Sequence, residues 1–131
     1  TITLASIAQR EADTTANMGN VASVFFNRMA DEESFPHLES DVTVHYVDEH
    51  IKPHLTTDQF DQKMFDAYNT YKCVGIPVGP ICNPGLDAIN AVLYPADTDY
   101  YYFCANVDTG EVYYARTNEE HEANLVLAGI K

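Results

Sequence analysis

One glutamate stands where a charged side chain is rarely found. Leu4, Ile7 and Glu11 recur at helical spacing, so the side chain of Glu11 points to the same face as the two apolar residues. Asp13 and Thr14 indicate a break and a new helix start, which places Glu11 in the last turn of its helix. Partial burial and the negative end of the helix dipole both disfavour the ionised carboxylate. The sequence therefore predicts a raised pKa for Glu11, as a general acid acting on a glycosidic oxygen requires.

The same position also fits a purely structural role for Glu11. A glutamate at the rim of a core lays its aliphatic stem over apolar residues and extends its carboxylate into water, and glutamate is rarely buried completely. Helical spacing alone leaves both interpretations open, so the other polar segments of the chain are needed to choose between them.

Two further segments place polar side chains beside turns or rigid backbone. Tyr68, Asn69 and Tyr71 stand next to a predicted turn. Residues 75–84 contain two glycines and three prolines, with Asn83 near the end. Rigid loops that carry polar groups are where binding sites concentrate, although a long surface connector has the same composition.

The composition limits the classes of partner. The 131 residues suit one domain, and 7 basic against 20 acidic residues give a formal charge of −13. We therefore expect neither nucleic acid nor an anionic membrane surface as a partner. No apolar run approaches the roughly 18 residues that span a membrane. Because the chain opens directly inside a helix, we expect it to be a piece of a longer protein.

Neither a metal nor a cofactor is expected. Cys73, Cys82 and Cys104 show no CxxC spacing, so they are predicted to be small, reduced, buried residues rather than a disulfide framework or a zinc site. The five histidines show no HExxH pattern.

The elements that must position the polar groups are mostly helical. Apolar periodicity predicts a first helix over residues 4–11 and a core helix over about 15–29. Residues 40–46 alternate between apolar and polar side chains, which predicts a short extended segment. A capping-box pattern at residues 56–59 predicts a short helix that runs to about residue 65.

The second half of the chain predicts a helix, a hairpin and another helix. Asn83 and Pro84 suit the N-cap and the first position of a helix. Its buried stripe is expected to hold Leu86, Ile89 and Leu93. Two aromatic and β-branched runs predict a hairpin, and a capping box opens the last helix. The hairpin strands cover residues 100–105 and 111–115, and the last helix begins after Thr117 and ends near Gly129. Because helices outnumber strands and the strand pairing is local, the predicted class is α+β.

Eight short segments carry a family resemblance: residues 5–11, 21–28, 40–46, 68–71, 75–81, 84–85, 94–96 and 99–103. In this order and at these spacings they resemble the MltG/YceG-like family of endolytic murein transglycosylases. Where the family often has Glu-Lys-Glu, this chain keeps only the second carboxylate, Glu11, which is the one that the family uses. Where the family usually has Gln-Thr-Asp-Pro-Thr, residues 39–43 read Glu-Ser-Asp-Val-Thr, after an acidic insertion at residues 31–36.

The resemblance implies a fold and a reaction. Residues 1–131 would form a mostly helical, lysozyme-like catalytic core with a β-hairpin, without the family's membrane anchor and LysM-like module. The reaction would cleave the MurNAc–GlcNAc bond inside peptidoglycan strands and leave 1,6-anhydroMurNAc ends. Protonated Glu11 would donate to the glycosidic oxygen and then, ionised, take the proton of the carbon-6 hydroxyl. Because the nucleophile belongs to the substrate, no second carboxylate is needed.

The resemblance also implies which residues hold the substrate and where the protein works. The expected substrate-binding residues are Asn27, Asp41, Thr43, Tyr68, Asn69, Tyr71 and Asn83. The expected partners are peptidoglycan glycan strands and cell-wall synthesis proteins. The full-length protein would be anchored at the extracytoplasmic face of the bacterial cytoplasmic membrane.

Two alternatives stay open. A hydrolase of the same glycan would use Asp41 to activate a water and would leave a reducing end. A non-catalytic peptidoglycan-binding module would keep the cleft without turnover. The chemical nature of the new glycan ends separates these three functions.

Overall fold

Six α-helices and one antiparallel β-hairpin form the fold, in a computed structural model that describes residues 1–131. The elements are α1 (Ile2–Glu11), α2 (Thr15–Ala30), α3 (Asp41–Tyr46), α4 (Gln62–Tyr68), α5 (Leu86–Leu93), β1 (Tyr102–Ala105), β2 (Val112–Ala115) and α6 (Asn118–Leu127). A π-helical turn (Val47–Ile51) and two 3₁₀ turns (Lys52–His54 and Thr57–Gln59) lie between α3 and α4. The predicted α+β class is confirmed.

Helices α1, α2 and α5 form the core that supports the C-terminal end of α1. Ile7 on α1 and Val21 and Phe25 on α2 are completely buried in one apolar cluster, which α5 completes. The side chain of Thr14 accepts a hydrogen bond from the N–H of Asn17 at 3.2 Å and so fixes the start of α2. Both helices that the apolar periodicity predicts are confirmed.

The hairpin packs against α2, and α6 packs against the hairpin. Phe103 on β1 meets Phe25 edge to face, with 5.8 Å between the ring centroids. The side chain of Thr117 accepts from the N–H of Glu120 at 3.2 Å and caps α6. Gly129 adopts a φ of 77°, the left-handed conformation in which glycine commonly ends a helix. The predicted hairpin and last helix are confirmed.

Residues 40–46 are largely helical, so the predicted extended segment is wrong. Asp41 begins α3, and Val42 and Tyr46, one turn apart, pack against the core cluster while Thr43 is completely buried. The strand preference of Val, Thr and Tyr is weak and depends on context. Contact of the helical face with α1 outweighs it.

Helix α5 begins later than predicted and buries a different face. Gly85, rather than Asn83, is the N-cap. Leu86 and Leu93 are 71% and 52% exposed, whereas Ala88 is completely buried. The predicted stripe is wrong in both leucines because α5 approaches α1 and α2 through its small side chains, whose weak hydrophobicity does not mark the buried face in the sequence.

The capping-box pattern at residues 56–59 gives a 3₁₀ turn instead of a long helix. The side chain of Gln59 accepts from the N–H of Thr56 at 2.9 Å. Helix α4 starts separately, because the side chain of Asp61 accepts from the N–H of Lys63 at 3.0 Å. The predicted helix is therefore displaced toward the C-terminus and ends at Tyr68.

The cysteines are free thiols, of which Cys104 is buried and Cys73 and Cys82 are half-buried. The expectation of buried residues is thus confirmed for one of the three. None of the helices combines the length and the apolar character that crossing a membrane requires.

Candidate active site

Glu11 ends α1 and lies half-buried where α1 contacts α3. The hydroxyl of Ser40 donates a hydrogen bond to Glu11 Oε1 at 2.5 Å, and no protein donor contacts Oε2. Burial raises the pKa of Glu11. The Ser40 hydrogen bond lowers it in part, the negative charge of Asp41 raises it further, and His45 lowers it. The net direction is upward, which confirms the direction that the sequence predicts.

Two buried threonines fix Ser40. The N–H of Ser40 donates to Thr70 Oγ1 at 2.8 Å, and the hydroxyls of Thr43 and Thr70 donate to the Ser40 carbonyl oxygen at 2.9 and 3.0 Å. Because Thr43 is completely buried, the prediction that it lines a cleft is wrong. Its hydroxyl instead fixes the residue that contacts Glu11.

Asp41 and Tyr71 form a pair next to Glu11. The Tyr71 hydroxyl donates a hydrogen bond to Asp41 Oδ1. Burial raises the pKa of Tyr71 strongly, the hydrogen bond to Asp41 adds to this, and the charges of Asp41, Glu39 and Glu11 add further. The structure therefore brings together three of the sequence-predicted site residues: Glu11, Asp41 and Tyr71.

Tyr68 and Asn69 shape the segment that leads to Tyr71. The ring of Tyr68 stacks on Tyr46 of α3, with 5.3 Å between the centroids. A Cβ added at Gly79 would lie 3.2 Å from the Tyr68 hydroxyl oxygen, so the glycine- and proline-rich loop passes close to this phenol. Asn69 Oδ1 accepts from the N–H of Tyr71 at 2.9 Å and closes the turn after α4. Whether Tyr68 and Asn69 bind a substrate stays a prediction.

A polar cavity of about 150 Å³ lies between Arg10 near the end of α1 and the helical segment from α3 to the π-helical turn, and Glu11 itself does not line it. Its lining residues are Arg10, Val42, His45, Tyr46, Glu49, His50 and Ile81. His45 is the histidine whose charge reaches Glu11. No three His, Cys, Asp or Glu side chains come together in a way that could hold a metal ion.

Asn27 and Asn83 make no hydrogen bond to these residues. The amide of Asn27 donates to the carbonyl oxygens of Thr98 and Tyr100 at 2.9 and 2.8 Å, so it holds the chain that enters the hairpin. Asn83 lies in the loop before α5, whose neighbouring residues Cys82 and Gly85 contact Ser6 and Gln9 of α1. Their predicted substrate contacts stay predictions.

Sequence reasoning missed the parts played by Ser40, Thr70 and Arg28. Ser40 and Thr70 lie inside the family-like segments, but a buried hydroxyl that contacts a distant residue leaves no local pattern. Arg28 carries the signal that singled out Glu11, because it continues the apolar stripe of α2 that includes Val21 and Phe25. It is 5% exposed, donates to Tyr101 O at 2.6 Å and His37 O at 2.9 Å, and lies 3.5 Å from Glu39.

Comparison with known proteins gives one consistent result. The sequence matches the model of the YceG-like family over residues 1–126. A protein of Streptococcus pneumoniae (strain D39) is 32% identical over 127 residues, and one of Bacillus subtilis (strain 168) is 38% identical over 120 residues. Both relatives carry the name endolytic murein transglycosylase.

The matches cover most of this chain but only part of the relatives. They include 95% and 92% of this chain, and 22% and 32% of the S. pneumoniae and B. subtilis proteins. The crystal structure of a yceG-like protein from Listeria monocytogenes superposes with a TM-score of 0.75 at 40% identity. That match covers 93% of this chain and 38% of the Listeria chain.

Proposed function

This chain belongs to the YceG-like family, and from that premise we propose that it cleaves peptidoglycan glycan strands internally, as an endolytic lytic transglycosylase. The observation that carries the proposal is the state of Glu11, a half-buried carboxyl group with a raised pKa, held at one oxygen by Ser40. A raised pKa lets a carboxyl group keep its proton to higher pH, and such a group is able to protonate a glycosidic oxygen. The names of the curated relatives support the same reaction.

The proposed reaction needs one carboxyl group in two states. Protonated Glu11 donates its proton to the oxygen that joins MurNAc carbon 1 to GlcNAc, and the bond between carbon 1 and that oxygen breaks. The ionised Glu11 then takes the proton of the MurNAc carbon-6 hydroxyl, whose oxygen bonds to carbon 1. Glu11 ends protonated again, and no water is consumed. Each proton transfer by a positioned group is worth about a hundred- to ten-thousand-fold in rate.

The groups around Glu11 suit the binding of an amide-bearing sugar. The phenol of Tyr71 is 44% exposed and is oriented by Asp41. The cavity lined by Arg10 and His45 offers polar side chains to the acetamido and hydroxyl groups of the glycan. In this proposal Tyr68, Asn69 and Tyr71 position the sugar on one side of the scissile bond.

A hydrolase is the second candidate, and one observation favours it. Asp41 lies close enough to Glu11 for its charge to raise the pKa of Glu11, so a second carboxylate is present at the site. A hydrolytic glycosidase needs such a carboxylate as base or nucleophile. Against this role, the hydroxyl of Tyr71 already occupies one oxygen of Asp41.

The proposed substrate also sets where the chain works. Peptidoglycan strands lie outside the cytoplasmic membrane, so we propose an extracytoplasmic location, with cell-wall synthesis proteins as neighbours. A formal charge of −13 does not oppose this, because neutral sugars need no opposite charge on the protein that binds them.

The test is a digestion of purified, uncrosslinked glycan strands, followed by mass spectrometry of the products. We expect the wild-type chain to shorten the strands and to leave new MurNAc ends that are one water lighter than reducing ends. Glu11→Gln is the inactive comparison, and Glu119→Gln on the exposed first turn of α6 is the matched control. Strands that bind but are not shortened by the wild type would identify a binding module instead.

A further inference from the structure

The backbone behind the Glu11 carboxyl has an unusual conformation. Glu39 has a φ of 55°, and it is the one residue other than glycine with a positive φ. Residues other than glycine rarely adopt this left-handed backbone conformation, and they do so where surrounding contacts hold them in it. Such a residue, directly before Ser40, needs a physical explanation.

Contacts from two elements hold Glu39 in place. Its N–H donates to the carbonyl oxygen of Thr70 at 3.1 Å, and its carboxylate lies 3.5 Å from Nη1 of Arg28. Arg28 is itself immobilised, because it donates to two backbone carbonyls and stacks against the rings of Phe35 and Tyr102 at 5.1 and 5.0 Å. The left-handed turn is therefore fixed from α2 on one side and from the turn after α4 on the other.

The turn sets the direction of the next side chain. Ser40 is 1% exposed, its backbone is bound to Thr70, and its hydroxyl lies 2.5 Å from Glu11 Oε1. We propose that Ser40 is a positioning residue for Glu11, and that the left-handed backbone at Glu39 places the Ser40 hydroxyl against that carboxyl. This inference deepens the proposed function and rests on it where it concerns the reaction.

The Ser40 hydroxyl has two effects on Glu11. It holds Oε1, so Oε2 is the oxygen left without a protein donor for a substrate to contact. It also favours the ionised carboxylate, against burial and against the charge of Asp41. Besides Asp41, the titratable groups that face Glu11 are His45 on α3 and Tyr71 after α4. Because Ser40 does not titrate, replacing it removes the hydrogen bond to Glu11 without adding or removing a charge.

The first test does not depend on activity. We would label the glutamates of the full chain with carbon-13, assign the Glu11 carboxyl signal by its loss in Glu11→Gln, and titrate it by NMR. In Ser40→Ala the pH at the midpoint of the Glu11 titration should rise above the wild-type value. In Ser40→Thr, which keeps the hydroxyl, this midpoint should lie closer to the wild-type value. An unchanged midpoint in Ser40→Ala would overturn the proposal.

The second test measures kcat on purified glycan strands against pH. We expect Ser40→Ala to lose about 10- to 100-fold in kcat, the range of one hydrogen bond to a charged group, and its alkaline limb to move to higher pH. Ser40→Thr should restore both. Ser23→Ala removes an equally buried hydroxyl that is bonded to Asn20 and Thr98 instead, so it should move neither. A loss in Ser40→Ala without the pH shift would mark Ser40 as merely structural.

The backbone at Glu39 is tested with a matched pair of variants. Glu39→Gly and Glu39→Ala both remove the carboxylate, but glycine adopts a positive φ without strain and alanine does not. We expect the NMR midpoint of Glu11 in the glycine variant to lie closer to the wild-type value than in the alanine variant. Identical midpoints in the two variants would contradict the part played by the backbone. If the wild-type chain cleaves no glycan, the proposed function fails while these titrations still decide whether Ser40 positions Glu11.

Discussion

Helices α1 and α2 end alike in the sequence and differently in the structure. Glu11 continues the apolar stripe of α1, and Arg28 continues the apolar stripe of α2. Glu11 receives one hydrogen bond, from Ser40, and keeps one oxygen without a protein donor. Arg28 donates to two carbonyl oxygens, lies near the carboxylate of Glu39 and stacks against two aromatic rings.

The difference separates a charge that can react from a charge that holds the fold. A buried charged group is stable when hydrogen-bond partners replace the water that it loses, as they do around Arg28. Glu11 lacks that replacement at one oxygen, so its pKa rises. It therefore keeps, to higher pH, a proton that it can donate to a substrate. A guanidinium keeps its proton in proteins, so Arg28 cannot serve as an acid. A charged residue that continues an apolar stripe is therefore reactive or structural, depending on how many hydrogen-bond partners surround it.

The largest expected effect is the loss of turnover in Glu11→Gln. The amide has nearly the same shape but neither donates nor accepts a proton in sequence, so we expect the rate on glycan strands to fall by about a hundredfold or more. Chain shortening of purified strands is the measurement, with Glu119→Gln as control. A variant that keeps more than about a tenth of the wild-type rate would remove Glu11 from the reaction.

The same variant should change how stability depends on pH. Because the pKa of folded Glu11 is raised above its ordinary value of 4.5, the folded chain binds more protons than the unfolded chain between these two values. The free energy of unfolding contributed by Glu11 therefore falls as the pH rises through that interval. Urea unfolding at several pH values should show that Glu11→Gln gains stability relative to wild type toward neutral pH. A constant difference would contradict the raised pKa.

In contrast to Glu11→Gln, which mainly affects turnover, Arg28→Met should mainly lower the free energy of unfolding. The variant leaves two partly buried carbonyl oxygens without their donor and removes the partner of Glu39, so we expect a loss of about 3 kcal/mol in the free energy of unfolding. Urea unfolding measures it. Arg116→Met, which breaks the exposed pair with Asp99, is the matched control and should cost much less. Equal losses in the two variants would mean that Arg28 is not the anchor described here.

Asp41→Asn should have a smaller effect on turnover than Glu11→Gln. Asparagine still accepts a hydrogen bond from the Tyr71 hydroxyl, so the loss in rate should stay below about tenfold. Removing the negative charge also removes one cause of the raised pKa of Glu11, so the alkaline limb of the pH profile should move to lower pH. A loss as large as that of Glu11→Gln would favour the hydrolase, with Asp41 as its base.

The smallest expected effect is that of alkylating the cysteines. Burial raises the pKa values of Cys73 and Cys104, which keeps them as unreactive thiols. Treatment of the folded chain with iodoacetamide should leave the glycan-cleaving rate unchanged. Rapid inactivation that glycan strands prevent would place a thiol in the site.

The sequence predicts the features that depend on local periodicity and misses those that depend on distant contacts. Helices α1 and α2, the hairpin and the exceptional position of Glu11 follow from apolar spacing and capping residues. Segment 40–46 is too short for its alternation to distinguish a strand from a helix, and contact with α1 decides it. The Ser40 hydroxyl, 29 positions from Glu11 along the chain, leaves no trace in either local pattern.

The sequence also does not reveal which polar side chains are buried. Thr43 and Asp41 are two residues apart, and nothing in the sequence indicates that the first is enclosed and the second exposed. Arg28 could have been singled out by the reasoning applied to Glu11, since both continue an apolar stripe. The apolar stripe does not reveal whether the folded chain places carbonyl oxygens within hydrogen-bonding distance of the charged group at its end.

The most direct test of the central claim is digestion of glycan strands by the wild-type chain in oxygen-18 water, followed by mass spectrometry of the new MurNAc ends. If Glu11 alone moves the proton and the carbon-6 hydroxyl of the substrate attacks carbon 1, the new ends contain no oxygen-18. A hydrolase instead places one heavy oxygen on every new end. Unlabelled anhydro ends are the result that we predict, and stoichiometric labelling would contradict the single-carboxylate mechanism.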